Sequence, residues 1–235
     1  MIELSIILPV YNERQTLPLL LSEWNDALKL LALDYEFVLC EDGSTDGTKD
    51  VLPQLQKQYP INLSQKTYRR GYGGAVIDGI LAANGKWILC IDSDGQCEAS
   101  DANQFWNNRQ EGSVLIGWRK ARKDVVTRKI MSGLFGMLFN LLFAKNTIHD
   151  PSAPFVLFQR PTIEPYIQTD LSKMKEGFWW GFVAMCLKRK IDISELPINH
   201  RLRAYGKTQV YKLSKLPSIA IRNIAGLISI RFCRP

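Results

Sequence analysis

The sequence contains no CxxC pair and no long apolar run that is free of charge. Its five cysteines are scattered, which argues against a zinc site or a redox dithiol and fits a reducing cytosol. No segment reaches the roughly 20 apolar residues that a membrane-spanning helix needs. The run at 2–10 lacks a basic leader and contains Glu3, so we expect a first strand there and not a targeting segment.

The chain also lacks an internal repeat and a linker long enough to separate domains, so we expect its 235 residues to form one domain. Apolar residues make up 46% of the chain, which is enough for a substantial core. The net charge of +7 favours anionic partners, whether nucleotides, phosphates, nucleic acid or acidic lipid surfaces, without choosing among them.

Short apolar runs alternate with helical patterns along the first half. We predict strands at 3–9, 35–40, 61–65 and 86–91, separated by helices at 13–33, from Thr48 to about Tyr59, and after the glycine-rich loop at 71–74. This βαβαβαβ order predicts an α/β protein with a Rossmann-like, doubly wound, mostly parallel sheet.

The second half is less regular. We predict strands at 114–117, 155–158 and 191–198, helices at 130–143 and 178–188, and an apolar tail at 216–232.

Polar clusters follow three of the predicted strands: Tyr11-Asn12-Glu13, Glu41-Asp42-Gly43-Ser44 and Asp92-Ser93-Asp94. Ligands of such sheets bind beyond the carboxyl ends of the strands. Asp92 and Asp94 can turn two carboxylates toward one point, where a hard divalent cation would relieve their repulsion, and Gln96 could add an oxygen. A solvated loop with Asp caps is the alternative, but the coincidence of three clusters favours a metal site.

The other two motifs are less specific. The Glu41-Asp42-Gly43-Ser44 cluster could cap a helix, face the N–H of a nucleotide base, or do both. The glycine-rich loop lacks the third glycine of a dinucleotide fingerprint, because Val76 stands in its place, so we interpret it as a tight turn beside a ligand.

These motifs together resemble family-two glycosyltransferases of GT-A fold, and among them dolichol-phosphate mannose synthases and bacterial polyprenyl-phosphate glycosyltransferases. The resemblance covers nearly the whole chain: Pro9 to Glu13, Glu41 to Thr48, Gly71 to Ala75, Asp92 to Gln96, Asp150 to Arg160, and Glu195 to Lys207. The chain departs from the family pattern at Glu41, Arg70, Pro154 and Thr208.

The resemblance implies an inverting glycosyltransferase that moves a sugar from a GDP- or UDP-sugar to a dolichyl or undecaprenyl phosphate. Residues 1–112 would bind the nucleotide sugar, residues 113–215 would form the acceptor side, and residues 216–235 would be a tail with possible membrane contact. Mg²⁺ or Mn²⁺ would bind at Asp92, Asp94 and Gln96.

The resemblance also assigns the remaining roles. Asp94, Arg119 and Arg128 would be catalytic. Arg119, Arg128, Asp150 and Ser152 would form the acceptor side. The donor-binding residues would be Pro9, Tyr11, Glu13, Glu41, Asp42, Asp92, Ser93, Arg203 and Lys207.

The acceptor decides whether a base is needed. A lipid monophosphate, whose second pKa is about 6, is already largely ionised at neutral pH and attacks without losing a proton. A hydroxyl acceptor would need a carboxylate base, for which Glu176 and Asp150 are the candidates. His149 could line this side, although a structural role is the simpler interpretation.

We expect a peripheral protein on the cytoplasmic face of a membrane, with no nucleic-acid partner. The helix at 130–143 and the tail could equally pack in the core or lie on the lipid surface, and an anchoring protein partner stays open.

Three alternatives remain: a hydroxyl-acceptor transferase of the same family, a nucleotidyltransferase, and a degenerate nucleotide- or membrane-binding protein. The nucleotidyltransferase would need a glycine-rich basic loop after the first strand, where this chain has Tyr11-Asn12-Glu13.

Overall fold

A seven-stranded sheet forms the centre of the computed structural model, which describes residues 1–119, 136–137, 139–143, 148–174, 177–203 and 216–232. The strands are β1 (Leu4–Val10), β2 (Tyr35–Asp42), β3 (Ile61–Lys66), β4 (Trp87–Cys90), β5 (Ser113–Arg119), β6 (Val156–Gln159) and β7 (Asp192–Ile198). The helices are α1 (Thr16–Lys29), α2 (Thr48–Gln58), α3 (Tyr72–Ala82), α4 (Asp101–Asn107), α5 (Arg160–Ile163), α6 (Phe178–Arg189) and α7 (Leu216–Phe232).

The strand order is β3-β2-β1-β4-β6-β5-β7, and only β6 is antiparallel to its neighbours among the described strands. The carboxyl ends of β1, β2, β3, β4, β5 and β7 therefore lie at one edge of the sheet. Because β6 runs the other way, the chain enters it at that same edge. The residues just before β6, from 148 to 155, are consequently brought to the edge where ligands bind in this class of sheet.

Each face of the sheet is covered by helices. On one face, α1, α2 and α4 bury a core against the alternate side chains of β1, β2 and β4. The inward stripe of α1 follows the helical period, with Leu17, Leu20, Leu21, Trp24 and Leu28 all buried. On the opposite face, α3, α6 and α7 bury a second core. The predicted doubly wound, mostly parallel arrangement is confirmed.

Gly79 brings α3 unusually close to the sheet. A Cβ at this position would meet the side chain of Ile7 on β1 and would lie 2.8 Å from the Sγ of Cys40 on β2. The missing side chain therefore fixes how closely α3 packs, and with it the position of the helix N-terminus.

The predicted strands all occur, with ends that differ by up to two residues. Helix α1 is shorter than the predicted 13–33, whereas α4, α5 and two 3₁₀ turns (Glu164–Tyr166 and Leu171–Lys173) were not predicted. Half of the predicted helix at 130–143 lies outside the described residues, and the other half, residues 136–137 and 139–143, is helical. Within the described part of the chain, no helix combines the length and apolar character that crossing a bilayer requires.

Candidate active site

The three polar clusters meet at the carboxyl edge of the sheet, as their positions after β1, β2 and β4 predict. The first two are joined by reciprocal hydrogen bonds: Asn12 N–H donates to Ser44 Oγ (3.0 Å), and Thr45 N–H donates to Asn12 Oδ1 (2.8 Å). Ser93 Oγ donates to the carbonyl of Pro9 at 2.6 Å and ties the third cluster to β1. Pro9 and Ser93 thus contribute to the framework of the site.

Asp92 and Asp94 form the acidic centre. Burial raises the pKa of Asp92, the Asp94 carboxylate raises it further, and the Tyr72 hydroxyl, Arg119 and Arg203 lower it. Two carboxylates whose charges interact in this way suit a hard cation that takes oxygen ligands. No cluster of three or more His, Cys, Asp or Glu side chains that could bind a metal occurs among the described residues. A cation here would take its remaining ligands from Gln96, substrate or water.

The segment after β7 packs beside this centre. His200 forms a β-bridge with Cys97, and Arg201 N–H donates to the carbonyl of Gln96 at 3.0 Å. Gln96 Nε2 in turn donates to the Arg201 carbonyl (3.0 Å). The carboxamide of Gln96 therefore holds the two segments together, and its role as a metal ligand stays a prediction.

Arg203 reaches from this segment to two of the strand ends. Its Nη2 lies 2.5 Å from Glu13 Oε1 and 3.8 Å from Asp94 Oδ2. Burial raises the pKa of Glu13 to about 7, although Arg203 lowers it. The structure thus brings together Glu13, Asp94 and Arg203, three residues predicted to contact the donor or the metal. Lys207, predicted beside Arg203, lies outside the described residues.

The Glu41-Asp42 pair supports the loops around the site. Asp42 accepts the N–H of Arg70 at Oδ1 (2.6 Å) and that of Gly71 at Oδ2 (2.8 Å), so its carboxylate anchors the glycine-rich loop. Glu41 is 1% exposed, and its Oε1 accepts the N–H of Ser44 at 2.5 Å. These contacts hold loops and do not cap the following helix, because α2 begins after Gly47 without a side-chain cap hydrogen bond. Recognition of a base by either residue stays a prediction.

Tyr11, a predicted donor-binding residue, contacts an arginine that lies just before the glycine-rich loop. The guanidinium of Arg69 lies over its ring, 3.8 Å from the ring centroid.

A second charged cluster stands at the carboxyl end of β5. Arg119 donates through Nε and Nη2 to the two oxygens of Asp150 (2.7 and 2.9 Å) and through Nη2 to Ser152 Oγ (3.0 Å). The predicted acceptor-side residues Arg119, Asp150 and Ser152 are therefore in direct contact. Strands β4 and β5 flank β6 and end at the same edge of the sheet, so this cluster and the acidic pair share that edge, and the charge of Arg119 lowers the pKa of Asp92. Arg128 and Glu176 lie outside the described residues.

Sequence reasoning did not assign a role to Glu195, Tyr72 or Trp179. Glu195 on β7 accepts the backbone N–H groups of His149 and Asp150 (3.0 Å each) and lies 2.8 Å from His149 Nδ1. It thereby positions the loop that carries Asp150. Its place in the Glu195-Leu196-Pro197-Ile198 motif could have indicated such a role.

Tyr72 and Trp179 extend the acidic centre into the core. The Tyr72 hydroxyl donates to Asp92 Oδ1 at 2.7 Å, and Trp179 Nε1 donates to the Tyr72 oxygen at 2.8 Å. The only sequence signal for either residue is the position of Tyr72 directly after Gly71.

Residues 5–166 match the family model described as Glycosyl transferase family 2. The undecaprenyl-phosphate 4-deoxy-4-formamido-L-arabinose transferases of Photorhabdus laumondii and Yersinia enterocolitica are each 26% identical over 217 residues, which cover 91% of this chain and 64% of theirs. The chain therefore spans just under two thirds of the length of these curated relatives.

Among solved structures, the fold is similar to that of glucosyl-3-phosphoglycerate synthase from Mycobacterium tuberculosis in complex with Mg²⁺ and UDP. The TM-score is 0.70 at 17% identity, with 99% of this chain and 80% of that chain covered. Mannosyl-3-phosphoglycerate synthase from Rubrobacter xylanophilus gives a TM-score of 0.66 at 14% identity, with coverage of 96% and 73%. At these identities the likeness concerns the fold, and the predicted GT-A fold class is confirmed.

Proposed function

The chain belongs to glycosyl transferase family 2, and we propose that it moves a sugar, with inversion, from a nucleoside-diphosphate sugar to a polyprenyl phosphate. One observation carries the proposal beyond family membership. The Arg119–Asp150–Ser152 cluster and the Asp92–Asp94 pair lie at the same edge of the sheet, at the ends of the two strands that flank β6, so this edge carries both cationic and acidic groups. The similarity to undecaprenyl-phosphate transferases over 91% of the chain supports a lipid phosphate as the acceptor.

Asp92 and Asp94 are the residues that would hold a divalent ion. Their carboxylate oxygens match the preference of Mg²⁺ and Mn²⁺, and sites for Mg²⁺ are often completed by substrate phosphates. Solved structures of glucosyl-3-phosphoglycerate synthase with Mn²⁺ and UDP-glucose, or with Mg²⁺ and UDP, support such an ion. When bound, the ion would supply Lewis-acid stabilisation of the anionic leaving diphosphate.

Arg203 would provide the protein's own positive charge for the same diphosphate. Its guanidinium already lies between Glu13 and Asp94. A small movement of this side chain would let it bind a phosphate oxygen of the donor in place of one of these carboxylates. Lys207 would add a second cation. Pro9, Tyr11, Glu41, Asp42 and Ser93 complete the proposed donor side.

The acceptor phosphate would bind at Arg119 and Arg128. Two anions must approach each other in this reaction, and cations near the reacting groups reduce their repulsion. Asp150 and Ser152 hold the Arg119 guanidinium in a fixed orientation, with bonds to both Asp150 oxygens. A phosphate dianion supplies its own charge, so the mechanism needs no side chain to remove a proton.

Exposed apolar side chains support contact with a lipid surface. On α7, Ile221 and Phe232 are 67% and 70% exposed, and Leu141 in the neighbouring helical residues is 82% exposed. Arg231 Nε donates to the Leu142 carbonyl at 3.0 Å, so the end of α7 and residues 139–143 form one surface. We propose that this surface, which also carries arginine, contacts the cytoplasmic face of a membrane.

The proposal is tested with purified protein in detergent. UDP- and GDP-sugars are offered with undecaprenyl phosphate, dolichyl phosphate or a soluble saccharide, each with and without Mg²⁺ or Mn²⁺. We expect metal-dependent transfer to a polyprenyl phosphate. Transfer to the saccharide alone would contradict the lipid acceptor and favour a hydroxyl acceptor in the same family.

Two variants separate the mechanisms further. Glu176→Gln should lose little activity and Arg128→Ala should raise the KM for the lipid strongly, while kcat/KM follows acceptor ionisation near pH ~6. An inactive Glu176→Gln variant together with a nearly normal Arg128→Ala variant would make Glu176 the base for a hydroxyl.

Membrane contact is tested separately by sedimentation with anionic vesicles. Binding should weaken with salt, because surface charges are screened, and should fall when Ile221 and Phe232 are both replaced by Ser. Leu19 on α1 and Leu30 directly after it, which are also exposed, give the matched control pair. No binding at low salt would argue for an anchoring partner or a soluble acceptor.

A further inference from the structure

Tyr72 occupies a position that the rest of the fold fixes closely. It is the first residue of α3 and follows Gly71, which has a φ of +84° and donates its N–H to Asp42. The other end of the helix is constrained by Gly79, which leaves no space for a side chain between α3 and the sheet. The tyrosine is therefore presented to the acidic centre from a well-anchored helix N-terminus.

The direction of the hydrogen bonds at Tyr72 follows from the chemistry of the groups. An indole N–H can only donate, so in the Trp179–Tyr72 contact of 2.8 Å the phenolic oxygen is the acceptor. The single phenolic hydrogen is then available for the 2.7 Å contact with Asp92 Oδ1. The chain runs in one direction, from Trp179 through Tyr72 to the Asp92 carboxylate.

The two acidic residues are held in similar ways. Asp92 is oriented through Oδ1 by Tyr72, and Asp94 is oriented through Oδ1 by the backbone N–H of Gln96 at 3.1 Å. Each carboxylate thus has one oxygen fixed by the protein, which sets the direction of its second oxygen. Hydrogen bonds of this kind orient the carboxylates that bind metal ions.

We propose that Tyr72 is a positioning residue for the metal-binding carboxylate Asp92, and that Trp179 positions Tyr72. The inference rests on the proposed metal site and deepens it. Trp179 lies in the first turn of α6, a helix from the second half of the chain. The orientation of a donor-side carboxylate therefore depends on a helix that the acceptor half contributes.

The test measures binding of Mn²⁺ in the presence of a nucleoside diphosphate, without any acceptor, by electron paramagnetic resonance. Tyr72→Phe removes one hydroxyl and should weaken Mn²⁺ binding by about 10- to 100-fold. Tyr35→Phe is the matched control, because Tyr35 also donates a hydrogen bond of 2.7 Å, to Asn25, in a different part of the fold. It should leave Mn²⁺ binding unchanged.

A second pair of variants tests the outer link. Trp179→Phe keeps an aromatic ring but removes the donor to Tyr72, and should weaken Mn²⁺ binding in the same direction by a smaller factor. Trp24→Phe is the control, because Trp24 is buried and its indole N–H has no hydrogen-bond partner among the described residues. If circular dichroism shows that Tyr72→Phe does not fold, Mn²⁺ binding by Trp179→Phe alone tests the positioning role.

The outcomes separate this inference from the proposed function. Normal Mn²⁺ binding by both Tyr72→Phe and Trp179→Phe, in a chain whose wild type binds Mn²⁺, would overturn the positioning role and leave the metal site intact. Weaker Mn²⁺ binding in these variants would support the positioning role. If the wild type then transferred no sugar to any polyprenyl phosphate, only the proposed acceptor would be overturned. A wild type that binds no divalent ion would overturn both.

Discussion

Replacing Asp150 by Asn removes the negative charge that faces the Arg119 guanidinium. The side chains of Arg119 and Asp150 are only 9% and 6% exposed, so solvent screens their interaction little. Asn keeps one oxygen that can accept from either Nε or Nη2, but it turns an amide N–H₂ group toward the other donor. One of the two guanidinium–carboxylate bonds, of 2.7 and 2.9 Å, is lost and the charge of Arg119 is left without its partner.

The expected loss of stability follows from this geometry. Removing one partner of a buried ion pair typically costs 3–5 kcal/mol, and the oxygen that Asn retains places Asp150→Asn near the lower end, at about 3 kcal/mol. In a chain of this size each kcal/mol lowers Tm by about 2–4 °C, so Tm should fall by about 6–12 °C. The freed guanidinium should also lose its orientation, which should raise the KM for the acceptor.

Asp170→Asn provides the matched control. Arg189 Nη2 and Nε lie 2.8 and 3.1 Å from one oxygen of Asp170, whose side chain is 3% exposed. Arg189 is the last residue of α6 and lies just before β7 begins, whereas Trp179 is in the first turn of that helix. Chemical denaturation should show similar losses of stability in the two variants. Kinetics with the lipid acceptor should show a changed KM only in Asp150→Asn. Equal changes in KM, or an unaltered stability of Asp150→Asn, would refute the reasoning.

Three further predictions concern the donor side and the core. Asp94→Asn should abolish the metal-dependent part of nucleoside-diphosphate binding in calorimetry while the fold survives; turnover equal to that of the wild type would exclude Asp94 as a metal ligand. Because the pKa of Glu13 is raised to about 7 in the folded state from 4.5, the wild type should lose stability as pH rises between these values. Glu13→Gln should show a smaller loss in urea denaturation between about pH 5 and pH 8, because the raised pKa of Asp92 contributes a loss of its own; parallel pH profiles of the variant and the wild type would contradict the raised pKa of Glu13. Gly79→Ala should lower the free energy of unfolding by about 1–3 kcal/mol, because its Cβ would overlap buried Ile7 and Cys40, whereas an unchanged urea midpoint would mean that α3 can shift.

The positions of the first four strands along the chain could be predicted because buried parallel strands are continuous apolar runs, and runs such as residues 35–40 stand out from the sequence. Their order across the sheet, β3-β2-β1-β4, was not predicted. The direction of β6 and its place in the sheet between β4 and β5 could not be predicted in the same way. Its sequence, Val156 to Gln159, is as apolar as that of a parallel strand, and strand pairing depends on contacts with β4 and β5 that no local pattern encodes. Helix α4 was missed because its seven residues are too few for a helical period to emerge.

The same distinction holds for the site. Asp92, Asp94, Glu13 and Asp42 could be placed together from sequence, because residues that follow parallel strands meet at one edge. The side chains that fix these residues in place could not be identified from sequence. Trp179 and Tyr72 are 107 residues apart in the chain, and Arg203 and Glu13 are 190 apart. Such contacts arise from the packing of whole elements, so a single sequence identifies the functional groups but not the side chains that orient them.

The reversed strand β6 also sets an order in which the protein can form during synthesis. The strands β1 to β4 pair with one another through residues 4–90, so this part of the sheet can assemble as soon as those residues leave the ribosome. Among the described strands, the side of β4 that faces away from β1 pairs with β6, at residues 156–159. Until that later segment emerges, β4 is an open edge able to pair with a strand of another nascent chain. Synthesis of the residues between β4 and β6 is therefore the period in which the nascent protein is most exposed to aggregation.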